Sequence, residues 1–232
     1  MKKFLLKLFI TILILILLAT TFVFLIGYGY YSNTLNEKSL TERVNEITND
    51  DHFVPFTELS KNYIDAVVAV EDHRYYEHGP VDFIGITRAL YTNIRDKKFD
   101  EGGSTITQQV AKNVIFNQDK TLIRKIGELF GAYDLEKNYS KEEILALYVN
   151  TNYFGNGYYG IYDASMGYYT KTPKDLNLDE ASMLAGIPNA PSVYAPTVNA
   201  DLAKKRQAHV LNSMVAYGYI SQEEADEIIK EK

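Results

Sequence analysis

Phe83–Ile94, FIGITRALYTNI, places Phe83, Ile86, Leu90 and Ile94 at spacings of three and four residues, the period of a helix with one apolar stripe. The same period extends in both directions. Upstream, Tyr63 to Val70 is an apolar run that ends in acidic residues. Downstream, the spacing predicts helices over Thr105 to Val114, Thr121 to Glu136, Lys141 to Val149, Leu178 to Ala185 and Leu202 to Tyr217. Ser140 followed by Glu143 reads as a capping box opening the third of these, and Ser221 with Glu224 repeats the pattern. Strand alternation is hard to find. Asn152 to Gly160 and Pro188 to Pro196, rich in Tyr, Gly, Asn and Pro, read as loops. The expected fold class is therefore mainly α, with function carried on loops and helix ends.

The N-terminus carries a different signal. Leu8 to Ile26 is uncharged and, at about 1.5 Å per residue, long enough to cross a hydrocarbon core of roughly 30 Å. Lys2, Lys3 and Lys7 precede it without an acidic residue, so the positive-inside bias puts the N-terminus in the cytoplasm and the rest outside. Tyr28, Tyr30 and Tyr31 suit the outer interface. A cleaved signal peptide is the alternative, but its apolar core would run to only about 7 to 15 residues before a small-x-small site, and Ala19-Thr20-Thr21 is a poor candidate. The expected organisation is a cytoplasmic tip and single transmembrane helix over 1–31, a stalk over 32–52 and a folded domain over 53–232.

At 232 residues and 46% hydrophobic composition, the chain can bury one well-packed domain plus an appendage. The absence of cysteine excludes disulfides, thiolate metal sites and a cysteine nucleophile. Without the three N-terminal lysines, 21 basic residues face 30 acidic ones, a formal charge of -9, which speaks against nucleic acid as a partner. Lys112, Lys120, Arg124 and Lys125 face only Asp119 between them, and that local basic stretch asks for an anionic ligand.

Three segments carry candidate chemistry. In EDHRYYEHG, Glu71 to Gly79, two acids follow directly on a buried-looking run; desolvation at such a position can raise a carboxyl pKa toward the range a general acid or base needs. An exposed helix end with ordinary charges explains the segment as well. In GGSTITQQVAKN, Gly102 to Asn113, the glycines let backbone approach a ligand, Ser104 or Thr105 can cap the next helix, and its free amides can meet an anion. Thr105, Gln108, Gln109 and Lys112 share one helical face, which could equally be a solvated polar stripe. In KTLIRKIGE, Lys120 to Glu128, Arg124 and Glu128 lie one turn apart. They form either a surface ion pair worth about 0.2 to 0.5 kcal/mol or part of a phosphate clamp with Lys120 and Lys125.

The order and wording of these segments resemble the glycosyltransferase family 51 domain of penicillin-binding proteins and monofunctional peptidoglycan glycosyltransferases. The family pattern E-D-x-x-F-x-x-H-x-G is met by Glu71, Asp72 and His78, with Tyr75 for Phe and Pro80 for the last Gly. G-A-S-T-I-T-Q-Q differs only by Gly103, and R-K-x-x-E is met by Arg124, Lys125 and Glu128. Lys141 to Ser165 and Leu184 to Pro196 match the fourth and fifth motifs. In those two, Leu145, Leu147, Tyr148 and Phe154 are expected in the core, with Asn150 and Tyr153 as possible site contributors.

The resemblance implies a lysozyme-like, two-lobed helical domain and an inverting transferase. It would polymerise the lipid-linked disaccharide lipid II into β-1,4-linked glycan with release of undecaprenyl pyrophosphate, at the outer leaflet of a bacterial cytoplasmic membrane. Glu71 matches the general base and Glu128 the second acid. Lys112, Lys120 and Arg124 would meet the pyrophosphate and Gln108 and Gln109 would line the donor cleft, with Arg88 as a further donor-site cation, Lys125 at the acceptor's phosphate, and Asp72, His78, Ser104 and Thr105 as further substrate contacts. No cofactor is required, although a divalent cation, Mg or Mn, could assist at the pyrophosphate; no D-x-D triplet is present. Expected partners are lipid II, the growing strand, the membrane and other cell-wall synthesis proteins. At this length no transpeptidase domain is expected. A lytic enzyme and a catalytically silent scaffold are the rival expectations.

Overall fold

The computed structural model describes residues 2–96, 102–116 and 121–230, and among these it is helical throughout, with one isolated bridge, Tyr153 to Tyr159, and no strand. The helices are α1 (Lys2–Glu37), α2 (Leu40–Thr48), α3 (Lys61–Glu71), α4 (Phe83–Asp96), α5 (Ile106–Ile115), α6 (Leu122–Asn138), α7 (Lys141–Thr151), α8 (Gly160–Tyr169), α9 (Leu178–Gly186), α10 (Pro191–Tyr194), α11 (Ala200–Ala216) and α12 (Gln222–Lys230).

Local chemistry sets most of the helix starts. Ser39 with Glu42, Ser140 with Glu143 and Asn177 with Glu180 form reciprocal capping boxes, and Ser221 with Glu224 makes the same pair of bonds. Ser60, Thr105, Thr121 and Asn199 accept from the amide three residues on. Each such cap contributes about 1 kcal/mol. Two elements go beyond the expected pattern. α8 opens at Tyr159 with no side-chain cap, so nothing in its first turn advertises a helix; its entry depends on Gly160 at φ +80°, where a Cβ would lie 3.0 Å from the Asn150 carbonyl oxygen. α10 is a single turn inside the stretch expected to be all loop.

Packing divides the helices into two groups. α3, α9 and α11 pack on one another, with α12 on α11; α5 packs on α6 and α7, and α1 lies along α6. Tyr63, Tyr75, Tyr148, Phe154, Leu145 and Leu147 are all less than 2% exposed, each large apolar side chain contributing about 1.5–3 kcal/mol by leaving water. The groove between the two groups holds the candidate site.

α1 is the one helix among the described residues long and apolar enough to cross a membrane. Its 36 residues would run to about 54 Å, well beyond a hydrocarbon core of roughly 30 Å, so it extends past the span into the domain. Gly27 lies against Ile126, leaving no room for a Cβ, and a Cβ at Gly127 would come within 2.9 Å of Phe116 and 3.5 Å of Tyr30. Tyr30 stacks on Phe116 at 5.4 Å and Tyr28 meets Phe130 edge-on at 5.2 Å. The Tyr31 hydroxyl donates to Asp134. Residues 32–52 form the end of α1 and all of α2, whose Leu40 and Val44 are buried in the main core. Arg43 ties the two by donating to the carbonyls of Thr34 and Lys38 at 3.0 and 2.9 Å.

Candidate active site

A cleft of about 400 Å³ opens between the two helix groups, lined by Glu71, Asp72, His73, Arg88, Ser104, Gln108, Gln109, Lys112, Lys125 and Glu128 from the expected segments. Glu71 is the last residue of α3. Gln109 Nε2 donates to its Oε2 at 2.9 Å, and Arg206 approaches its Oε1 at 3.7 Å. Behind it lie the fully buried Tyr63 and Tyr148, whose hydroxyls are held well above the usual tyrosine range by burial first and then by the Glu71 charge.

The cationic side of the cleft comes from α5 and α6. Burial pulls the Lys112 ammonium below the usual lysine range; Glu128 and Glu71 oppose that shift, and Arg124 and Lys125 add to it. Glu128, with its side chain 2% exposed, accepts from Arg124 and, at 2.8 Å, from Lys125. Lys125 also donates to Ser104 at 2.7 Å. One buried carboxylate thus sets the geometry of two cations, while the region keeps a positive excess suited to a multiply charged anion. Lys120 lies outside the described residues.

Several expected site residues turn out to be occupied internally. Asp72 accepts from His78 Nε2 at 2.8 Å or its tautomeric equivalent, and from the Ile106 amide at 3.1 Å. The first turn of α5 is therefore satisfied by Asp72 and by the Thr105 cap, which fills the position where a ligand anion was expected. The Thr105 hydroxyl donates to the Pro80 carbonyl at 2.9 Å. Thr105, His78 and Arg124 do not line the cleft; they brace residues that do. For His78, burial lowers the pKa, but the Asp72 hydrogen bond and the Gly79 carbonyl outweigh it and the net shift is upward. Asn150 bonds the backbone of Val54 and Ala146, and Tyr153 pairs with Tyr159 at 4.6 Å on the surface. Neither lines the cleft.

α11 contributes what the sequence reading missed: Arg206, His209, Ser213 and Tyr217 line the cleft opposite α5. They fall at i, i+3, i+7 and i+11, one face of the helix, while Ala203, Gln207, Val210 and Met214 are buried on the other. That periodicity was the available signal.

Asp72, His78 and Asp82 bring ligand atoms within 4.8 Å of one another, but the set does not suit a cation. Asp72 is engaged as described, and Asp82 pairs with Arg74 and accepts from the Ile84 amide at 3.0 Å. Among the described residues, the carboxylate oxygens lining the cleft, those of Glu71, Asp72 and Glu128, each face a cation, an amide or an imidazole.

Residues 36–215 match a family model described as Transglycosylase. The chain is 42% identical over 236 aligned positions to penicillin-binding protein 1F of Bacillus subtilis (strain 168), covering 94% of this chain and 33% of that protein. It is 43% identical over 180 positions to penicillin-binding protein 1A of Neisseria flavescens, covering 78% of this chain and 23% of that protein. The chain spans about a third or less of the length of these relatives. Among solved structures, penicillin-binding protein 1A from Haemophilus influenzae matches 55% of this chain and 16% of its own at 28% identity, with a TM-score of 0.39.

Proposed function

The chain belongs to the transglycosylase family, and on that premise we propose that it polymerises lipid II into β-1,4-linked glycan with inversion, releasing undecaprenyl pyrophosphate. The observation that carries the proposal is that Glu71 and the cations Lys112 and Lys125 line one cleft, so a proton acceptor and a diphosphate-binding set face the same substrate.

In this mechanism Glu71 takes the proton of the acceptor's 4-hydroxyl as that oxygen attacks the anomeric carbon of the donor, a contribution of about 10² to 10⁴-fold. Gln109 and Arg206 keep the carboxylate oriented. As the glycosidic bond to the pyrophosphate breaks, negative charge grows on the leaving oxygens, and Lys112 with Lys125, which Glu128 holds in place, stabilises it without having to reorganise. Glu128 acts by orienting these cations. Among the described residues, the carboxylates lining the cleft are all engaged by cations, amides or an imidazole, and in this mechanism the pyrophosphate charge is met by side-chain cations.

A membrane-resident donor also accounts for α4. Phe83, Ile84, Leu90, Tyr91 and Ile94 are between 58% and 72% exposed, so the apolar stripe is not core packing; it suits insertion into the outer leaflet of a membrane crossed by α1 with the N-terminus inside.

Purified protein given lipid-linked disaccharide, and separately finished glycan, tests the proposal. Polymer from the first and no cleavage of the second is the expected result, unchanged by a metal chelator. Cleavage of glycan would instead identify a lytic enzyme, and activity on neither a silent scaffold.

A further inference from the structure

Arg88 sits on a helix that does little to hold it. Within residues 83–95 of α4 only Gly85 and Ala89 are buried, and Arg88 stands on the exposed part of that helix. Two aromatic residues from other elements meet it. His73, in the turn after α3, has both ring nitrogens within 3.0 Å of Arg88 Nη1, and the Tyr217 hydroxyl lies 3.5 Å from the same atom. The His73 ring is in turn stacked on Tyr217, 3.9 Å between centroids and 13° between planes. The three residues line the cleft that contains Glu71, and Tyr217 lies just beyond the residues matched by the family model, 36–215.

A ring nitrogen can accept from a guanidinium only while the imidazole is neutral. Burial first, then the Arg88 charge, holds His73 below the usual histidine range, against the opposing pull of Asp72 and Asp82. The stack is flat enough to fix the ring plane, and the ring plane fixes where Arg88 can place its donors.

We propose that His73 and Tyr217 are positioning residues that hold the Arg88 guanidinium over the cleft, where it meets an anionic oxygen of the donor's diphosphate. The inference rests on the transferase reading for the identity of the ligand, while the coupling between Tyr217 and Arg88 stands on geometry alone. Tyr217 is 43% exposed at the end of α11, so its replacement leaves the core intact.

The test is a double-mutant cycle on the full chain in detergent. Farnesyl diphosphate serves as the binding probe by calorimetry, and donor KM is measured in the polymerisation assay. Arg88→Ala and Tyr217→Leu should each weaken probe binding about tenfold, the size of one hydrogen bond to a charged group. The double variant should be no weaker than Arg88→Ala, and Tyr217→Phe, which keeps the ring, should stay within about twofold of wild type. Donor KM should follow the same pattern, and kcat should fall with it where Arg88 is lost or displaced, because that cation also meets the departing diphosphate. Additive losses, unchanged binding in Tyr217→Leu, or a wild type that does not bind the probe would each overturn the inference. A wild type that binds the probe and shows the coupling but makes no polymer would instead overturn the transferase reading and leave the positioning role standing.

Discussion

Gln109 Nε2 donates to Glu71 Oε2 at 2.9 Å, joining the first polar face of α5 to the last residue of α3. Arg206 approaches the other oxygen from α11, so the candidate base is oriented by three helices that belong to both packed groups. Both donors are partly buried, which leaves the carboxylate few rotamers to explore.

Replacing Glu71 by Gln should remove polymerisation, a loss of at least about 10²-fold, while the melting temperature stays near that of wild type because shape and the contact with Gln109 are nearly conserved. Turnover at the wild-type rate would remove the general-base assignment.

Gln109→Leu should lower kcat by about tenfold with little change in donor KM, since an orienting hydrogen bond to the base is lost while the cation set remains. Steady-state kinetics on lipid-linked disaccharide separate the two constants. A change confined to KM would mean that Gln109 serves binding alone.

Glu128→Ala removes the carboxylate that pairs with the buried Arg124, and breaking a buried pair from one side costs about 3–5 kcal/mol. Denaturant unfolding should show a loss of that order. Lys125→Ala, whose side chain is nearly half exposed, should cost no more than about 1 kcal/mol. Near-equal stability of Glu128→Ala and wild type would rule out the proposed clamp.

His78 has a raised pKa in the folded state because of its contacts with Asp72 and Gly79. The folded protein therefore binds the proton more tightly than the unfolded chain. The resulting stability is fully present below the unfolded value of about 6.5 and is lost as pH rises through the folded pKa. His78→Gln should flatten that part of the stability-versus-pH curve, measured by thermal melts at stepped pH.

How much of this was legible in sequence depends on where the partners came from. The cleft residues on α3, α5 and α6 sit in motifs whose order and spacing were visible, and Glu71, Gln109, Lys112, Lys125 and Glu128 do converge. Asp72, His78 and Thr105 belong to the same motifs, yet their polar atoms are consumed by Ile106, Pro80 and one another; a motif letter does not say whether a group faces substrate or the interior. Arg206, His209, Ser213 and Tyr217 looked like any solvated helix face, and only the packing of α11 on α3 turns that face into a cleft wall. α8 escaped notice because its start is a left-handed glycine with no capping side chain.

The close approach of α1 to α6 offers a further prediction. Gly27→Leu cannot be accommodated against Ile126 and should cost about 1–3 kcal/mol through overpacking. A matched change on an outward position, Gly29→Leu, where a Cβ meets nothing within 4 Å, should be nearly neutral in thermal melts of the detergent-solubilised chain.

Because α1 continues without a break from its apolar stretch into this contact, the domain does not swing on a tether. A helix whose hydrophobic length exceeds the local bilayer accommodates by tilting, and here any lean of the span becomes a lean of the whole body, carrying Glu71 nearer to or farther from the lipid headgroups. Bilayer thickness would then act on catalysis as a mechanical input, and product output should respond to acyl-chain length in reconstituted vesicles even when every residue of the cleft is left alone.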